Sequence, residues 1–112
     1  MSNVIVAGPD EHGLGEALEA EGADVTRIPD VVSAATLEDA DIHDADVLVL
    51  TDTGEATAIP IAKELNPDVR DVAYAEGSLP ESMDAIADLS VDPRLMDPEV
   101  VAEELLGEGD EL

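Results

Sequence analysis

The fold is decided by the opening stretch "VIVAGPDEHGLGEALEAEGADVTRI", Val4–Ile28. Its first residues are continuously apolar, which is typical of a parallel strand buried on both faces. After a glycine loop, Leu14, Ala17 and Leu18 recur at helical spacing, and Gly22 is a good helix stop. The end of the stretch, "ADVTRI", has the length and pattern of a second strand. The stretch therefore predicts a strand, a helix and a second strand, as in the opening unit of a parallel α/β sheet.

The same alternation continues to the end of the chain. Further strands are predicted in "DVLVLTD" (46–52), "VRDVAYA" (69–75) and "DLSV" (88–91), and further helices in "TLEDADI" (36–42), "ATAIPIAKEL" (56–65), "SLPESMDAIA" (78–87) and "PEVVAEELL" (98–106). Short loops between such elements indicate a three-layer, doubly wound α/β fold, with a truncated Rossmann-like parallel sheet of about five strands in the order 2-1-3-4-5. We expect one domain over 1–106 and a flexible acidic tail over 107–112.

The starts of two helices can be predicted more closely. Thr36 is the expected cap of the second helix, with an acid three residues later. Asp97 is expected to cap the last helix and Pro98 to open it, because proline suits the first helical position. The last helix is predicted to have one apolar face, formed by Val100, Val101, Leu105 and Leu106.

The charge of the chain is extreme. Among 112 residues, 29 are Asp or Glu and 4 are Lys or Arg, so the formal net charge is -25. Such a charge opposes compaction in dilute buffer, whereas at molar salt the Debye length shrinks to roughly 3 Å and the repulsion is screened. With 45% hydrophobic residues in periodic runs, the chain is not a disordered one. The composition is typical of a halophilic, haloarchaeal protein whose surface carboxylates hold hydrated cations.

The composition also excludes several classes of function. Four cations are too few for a stripe that binds nucleic-acid phosphates. The chain has no cysteine and therefore no disulfide or thiolate metal site. No apolar run approaches the ~20 residues of a membrane span, and no signal sequence is evident, so we expect a cytoplasmic protein without direct membrane insertion. The acidic run 39–46 lacks the glycine and the terminal glutamate of a calcium loop, and no metal site is predicted.

Two segments of the sequence resemble a known family. The segments "ADIHDADVLVLT" (40–51) and "AKELNPDVR" (62–70), together with the opening stretch, resemble the TrkA-N or RCK type of Rossmann domain, the nucleotide-binding domain of potassium-transport regulators. This resemblance implies NAD or another adenine nucleotide as ligand, a homodimer, and a transporter or regulatory subunit as partner. The chain also resembles a small haloarchaeal family sometimes labelled CTP synthetase, although its residues show no sign of that chemistry.

The candidate ligand site follows from the predicted topology and from this resemblance. In doubly wound sheets, ligands bind beyond the carboxyl ends of the strands, where the strand order reverses. The loops after Gly8 and after Leu50 are expected to line that point. The candidate binding residues are Gly8, Asp10, His12, Gly13, Leu14, Asp30, Thr51, Asp52 and Thr53.

The glycine loop departs from a dinucleotide fingerprint. Gly8 and Gly13 stand at the first and third glycine positions, but Asp10 stands at the second, where backbone should approach the pyrophosphate. The acid that should hold a ribose hydroxyl is missing, and Asp30 is only an off-register substitute. A helix that begins near Gly13 would still suit an anion. Alternatively, the two glycines serve only to turn the first strand into its helix.

Two functions from different classes therefore stay open. In the first, the chain is a regulatory domain that binds a nucleotide at a partly degenerate site and signals to a partner. In the second, it is an interaction or dimerisation module without a ligand. An enzyme ranks third, because no proton donor and no nucleophile with a neighbouring base are evident.

Overall fold

The computed structural model describes residues 3–8, 13–28, 33–51, 58–74 and 89–106. Within these ranges lie the five strands β1 (Asn3–Ala7), β2 (Asp24–Ile28), β3 (Val47–Leu50), β4 (Arg70–Tyr74) and β5 (Leu89–Val91). The α-helices are α1 (Leu14–Ala20), α2 (Ala34–Asp39), α3 (Ala58–Leu65) and α4 (Pro98–Leu106), and a 3₁₀ helix spans Ile42–Asp44. The predicted helix over 78–87 and the tail over 107–112 lie outside the described residues.

The strands form one parallel sheet in the order β2-β1-β3-β4-β5. β1 and β3 are neighbours in register, from Val4 opposite Val47 to Ala7 opposite Leu50. The strand order reverses between these two strands, which makes the gap between their carboxyl ends the switch point of the sheet. The predicted topology is therefore confirmed.

Alternate residues of each central strand supply two separate cores. Val4 and Val6 of β1 face the layer of α1 and α4, whereas Ile5 and Ala7 face the layer of α2 and α3. All four are essentially fully buried, and the same alternation holds in β3. Each buried Val or Ile side chain contributes roughly 1.5–3 kcal/mol when it leaves water. Burial on both faces explains why these strands are continuously apolar in the sequence.

The cap of α2 differs from the prediction. Ser33, not Thr36, is the N-cap: the amide of Thr36 donates to Ser33 Oγ at 3.3 Å, and the amide of Ser33 donates to Thr36 Oγ1 at 2.8 Å. This reciprocal pair satisfies two amides that the helix itself leaves without a partner. The helix also ends earlier than predicted, at Asp39, because Asp41 adopts a left-handed conformation (φ 64°) before the chain enters the 3₁₀ helix.

The last helix begins at Pro98 as predicted, and the carbonyl of Asp97 accepts the amide of Val101 at 3.1 Å. Its apolar face is only partly as predicted. Val101 and Leu105 are buried, but Val100 is 43% exposed. A helix turns by about 100° per residue. With Val101 pointing at the core, Val100 therefore lies on the outer side of α4.

Asn66 connects the end of α3 with the segment that leads into β3. Its side-chain amide donates to the carbonyl oxygens of Ile42 at 2.7 Å and Ala45 at 3.0 Å, and its side-chain oxygen accepts the amide of Asp68 at 3.1 Å. Asn66 is buried, with 8% of its surface exposed. The two segments of the family resemblance therefore contact each other through the side chain of Asn66.

Lys63 and Asp71 form the most buried ion pair among the described residues. Lys63 Nζ donates to the carbonyl of Val69 at 2.8 Å and lies 4.0 Å from Asp71 Oδ2. The Asp71 side chain is fully buried on β4, whereas that of Lys63 is 28% exposed. A carboxylate taken out of water in this way needs nearby positive charge, because its desolvation is expensive.

We expect Lys63→Met to lower the free energy of unfolding by about 1–3 kcal/mol, because it removes the cation beside a buried carboxylate. Urea unfolding in concentrated KCl measures the effect. The matched control is Arg27→Met, which removes an exposed pair with Glu19 at 3.6 Å and should change the free energy by less than about 1 kcal/mol. Equal effects of the two variants would contradict this interpretation.

Candidate functional site

The switch point is formed by Gly8 after β1 and Thr51 after β3. Gly8 has a φ of 102°, and its amide donates to the carbonyl of Ile28 at 2.8 Å. The amide and the hydroxyl of Thr51 both donate to the carbonyl of Ala7, at 3.0 and 3.1 Å. These polar groups are therefore used to join β1 to its two neighbouring strands. A phosphate at this point would have to compete with those bonds for the same donors.

Gly13 marks the start of α1. It has a φ of 76°, in the left-handed region that favours glycine, and its carbonyl accepts the amide of Ala17 at 3.1 Å. Among the described residues, a Cβ atom at Gly13 would meet the Glu16 carboxylate oxygen, at 3.7 Å. Its positive φ is therefore sufficient to favour glycine at this position.

The first turn of α1 gives little support to an anion site. α1 has only seven residues, and Glu16 in its first turn places a carboxylate near the positive end of the helix dipole. Leu14 is fully buried in the core beneath the helix. Its side chain therefore packs against the sheet, which is a sufficient reason for a leucine at the start of α1.

The other predicted site residues cannot be placed in this geometry. Asp10, His12, Asp30, Asp52 and Thr53 lie outside the described residues, and their roles stay predictions. Of the predicted set, the structure brings Gly8 and Thr51 to adjacent strand ends, joined through the Ala7 carbonyl. It places Gly13 and Leu14 at the start of the helix that follows β1.

A shallow pocket of about 130 Å³ lies at the opposite, amino end of the sheet. Its polar lining comes from Asn3, Asp24, Thr26, Asp41 and Asp44. The sequence showed acids in this region but not that β1, β2 and the 3₁₀ segment would enclose a pocket. Among the residues that the structure describes, no group of three or more His, Asp or Glu side chains is arranged to hold a metal ion.

The described helices and the exposed residues have two further features. In the part of the chain that the structure covers, no helix has both the length and the apolar character that a bilayer crossing demands. Many of the exposed residues in the described part of the chain are Asp or Glu, as the composition requires.

The sequence matches one family model over residues 4–105. The chain belongs to DUF7126, a family of unknown function. The match includes all of the described strands and helices except the first residue of β1 and the last residue of α4, so DUF7126 corresponds to the α/β domain. No curated protein shows significant sequence similarity to this DUF7126 chain.

Solved structures that are similar to this chain include response regulators and a candidate pilus assembly protein. A response regulator from Burkholderia pseudomallei, with a phosphorylated aspartic acid, a calcium ion and citrate, has a TM-score of 0.69 and 18% identity, covering 99% of the DUF7126 chain and 70% of its own. The orphan response regulator HP1043 of H. pylori has a TM-score of 0.68 and 14% identity, covering 93% and 92%. A candidate pilus assembly protein from Burkholderia thailandensis E264 has a TM-score of 0.66 and 21% identity, covering 94% and 95%.

At these identities the similarity concerns the fold alone. The three structures share with the DUF7126 chain a doubly wound α/β architecture, as predicted from its opening stretch. The resemblance to TrkA-N domains and the nucleotide that it implies stay predictions.

Proposed function

We propose that this DUF7126 domain is a regulatory interaction module that works without a bound nucleotide. The observation that carries the proposal is the use of the polar groups at the switch point. The Gly8 amide and both donors of Thr51 bond to carbonyls of neighbouring strands. A nucleotide site at this position needs amides that point at the phosphates, and these three donors point into the sheet.

Two further observations support the proposal. Glu16 places a negative charge in the first turn of α1, where a phosphate would need positive potential. The fold is also found in response regulators and in a candidate pilus assembly protein. Regulation and assembly both depend on contacts between proteins, and a domain of this fold offers helix faces on both sides of its sheet for such contacts. The acidic surface suits a salt-rich cytoplasm as the place where the module works.

The nucleotide hypothesis is tested by thermal unfolding in about 3 M KCl, with NAD, NADP, ATP, AMP or CTP added. A ligand at 100 times its dissociation constant adds about 2.7 kcal/mol of stability. For a domain of this size, that raises the midpoint by roughly 10 °C or more. We expect every nucleotide to leave the midpoint within about 1 °C, because the donors of Gly8 and Thr51, the described residues of the switch point, are already bonded.

Inorganic phosphate and sulfate at the same ionic strength serve as controls for general salt effects. A nucleotide that raises the midpoint well beyond these controls would overturn the proposal and favour the regulatory nucleotide-binding domain predicted from the sequence.

A further inference from the structure

The strand β2 lies at the edge of the sheet. Within the described residues, its neighbour is β1 and no strand lies on its other side. The amide of Gly8 donates to the carbonyl of Ile28, so the peptide groups of Ile28, and of every second residue before it, face β1. The peptide groups of Val25 therefore face the open side. A strand edge of this kind is a template for a further strand.

One face of β2 is uncovered beside this edge. Asp24 and Thr26 lie on the same sheet face as Ile5, which is the face toward α2 and α3. Both are exposed, whereas Ile28 at the other end of the strand is buried. The reason is that α2 has only six residues and leaves the amino-terminal half of β2 open. A strand added at the edge would place every second side chain on this same face.

The pocket at the amino end of the sheet begins beside these two exposed side chains. Its opposite wall is the segment 40–45, which contributes Asp41 and Asp44. Asn3 fixes this wall, because its side-chain amide donates to the carbonyl of Asp44 at 3.2 Å and its backbone amide donates to Asp46 Oδ2 at 2.9 Å. The wall is therefore in place before a partner arrives, which lowers the cost of binding.

The described residues that line the pocket include three carboxylates and no Lys or Arg. In the part of the chain that the structure covers, the side chains of Asp24, Asp41 and Asp44 are exposed and have no hydrogen-bond or ion-pair partner. Asp41 precedes the 3₁₀ helix, yet its side chain makes no capping hydrogen bond. Arg27, the cation of β2, lies near α1, 3.6 Å from Glu19. The pocket is therefore complementary to a positive group from outside.

The size of the pocket limits what that group is. Its volume of about 130 Å³ is well below the roughly 300–1,000 Å³ of a site for a cofactor or a nucleotide. Its acids are not arranged to hold a metal ion. A single long side chain fits better. The guanidinium group of an arginine is planar and has five donors, so it can bond to two carboxylates at once.

We propose a docking site, the β2 site, formed by Asp24, Val25, Thr26, Asp41 and Asp44. Its occupant is an extended segment of another protein, which pairs with β2 and places one arginine in the pocket. This inference rests on the proposed function, because it names the partner of the interaction module. Backbone bonds to Val25 supply affinity, and the pocket supplies specificity, as in other domains that bind a peptide at a sheet edge. At molar salt long-range attraction is screened, so the arginine is recognised by direct contact.

A second copy of this chain fits the β2 site poorly. The chain has only four Lys or Arg residues. Three of them, Arg27, Lys63 and Arg94, already lie within 4.0 Å of carboxylates of their own chain. A partner with a basic extended segment matches both the open backbone and the charge of the pocket.

Fluorescence polarisation in about 3 M KCl tests the proposal, with a labelled, capped pentapeptide that has a central arginine between threonines. Threonine is chosen because it favours extended structure. We expect saturable binding with a dissociation constant below about 1 mM. The same peptide with citrulline in place of arginine has nearly the same shape without the charge, and should bind about fivefold more weakly or worse. A peptide with N-methylated amides should lose as much, because it cannot donate to the Val25 carbonyl.

Matched variants of the protein locate the binding. Asp44→Asn removes one charge of the pocket with little change of shape and should weaken binding of the arginine peptide about threefold or more. The control is Asp68→Asn, which removes the same charge from an exposed position that does not line the pocket. It should change the dissociation constant by less than about 1.5-fold. Near-ultraviolet circular dichroism of Tyr74 shows that each variant is folded.

Four results would overturn the proposal. They are no binding of the arginine peptide up to about 10 mM, equal binding of the citrulline peptide, equal binding of the N-methylated peptide, and equal effects of the two folded variants. None of them affects the proposed function, which the nucleotide titration decides separately.

Discussion

Asn66→Asp is expected to lower the free energy of unfolding by about 3 kcal/mol or more. The Asn66 amide group donates to the carbonyls of Ile42 and Ala45 in a buried position. Aspartate has nearly the same shape but presents two oxygens, so both carbonyls lose their donor and face a negative charge. A buried acceptor left without a donor costs about 1–3 kcal/mol, and a buried charge costs more. Urea unfolding in concentrated KCl measures the difference.

Asn3→Asp is the matched control for this variant. The side chain of Asn3 also donates to a carbonyl, that of Asp44 at 3.2 Å, but this bond is exposed. Water replaces an exposed bond, so Asn3→Asp should cost less than about 1 kcal/mol. If the two variants were equally stable, the side chain of Asn66 would not hold α3 to the segment before β3 as described. The comparison separates burial from the chemistry of the substitution, which is identical at both sites.

Tyr74→Ala is expected to lower the free energy of unfolding by about 3–5 kcal/mol. Tyr74 is the only aromatic residue of the chain and is 1% exposed, at the carboxyl end of β4. Truncation leaves a cavity in the core between the sheet and α4. It also removes the donor for the Met96 carbonyl. Since a domain of this size is stable by only about 5–15 kcal/mol, the variant should unfold at much lower urea concentration.

Tyr74→Phe divides this loss into its two parts. It keeps the ring and removes only the hydroxyl that donates to Met96, so we expect a loss of about 1–2 kcal/mol. Far-ultraviolet circular dichroism follows unfolding in both variants, because neither keeps the tyrosine signal. A loss in Tyr74→Phe as large as that in Tyr74→Ala would mean that the hydrogen bond, and not the packing of the ring, dominates.

The candidate site was only partly predictable from the sequence. The positions of Gly8 and Thr51 at neighbouring strand ends follow from the strand order, which local patterns indicate. The direction of their hydrogen-bond donors does not follow from the strand order. The hydroxyl of Thr51 could have donated to a ligand or to the protein, and only the folded structure shows that it donates to the Ala7 carbonyl. The predicted N-cap of α2, Thr36, was wrong for a similar reason. Ser33 and Thr36 are both capping residues, and only the backbone conformation decides which one precedes the helix.

The sequence by itself determined the architecture of this protein. Burial on both faces of a strand produces a continuous apolar run, and burial on one face of a helix produces a helical period of apolar residues. Both patterns can be recognised along the chain. It also determined the overall charge. Only the tertiary structure decided what Asn66 and Tyr74 do. Both bond to residues more than 20 positions away. Contacts between distant segments leave no local period in a sequence, so they became visible only once the chain was folded.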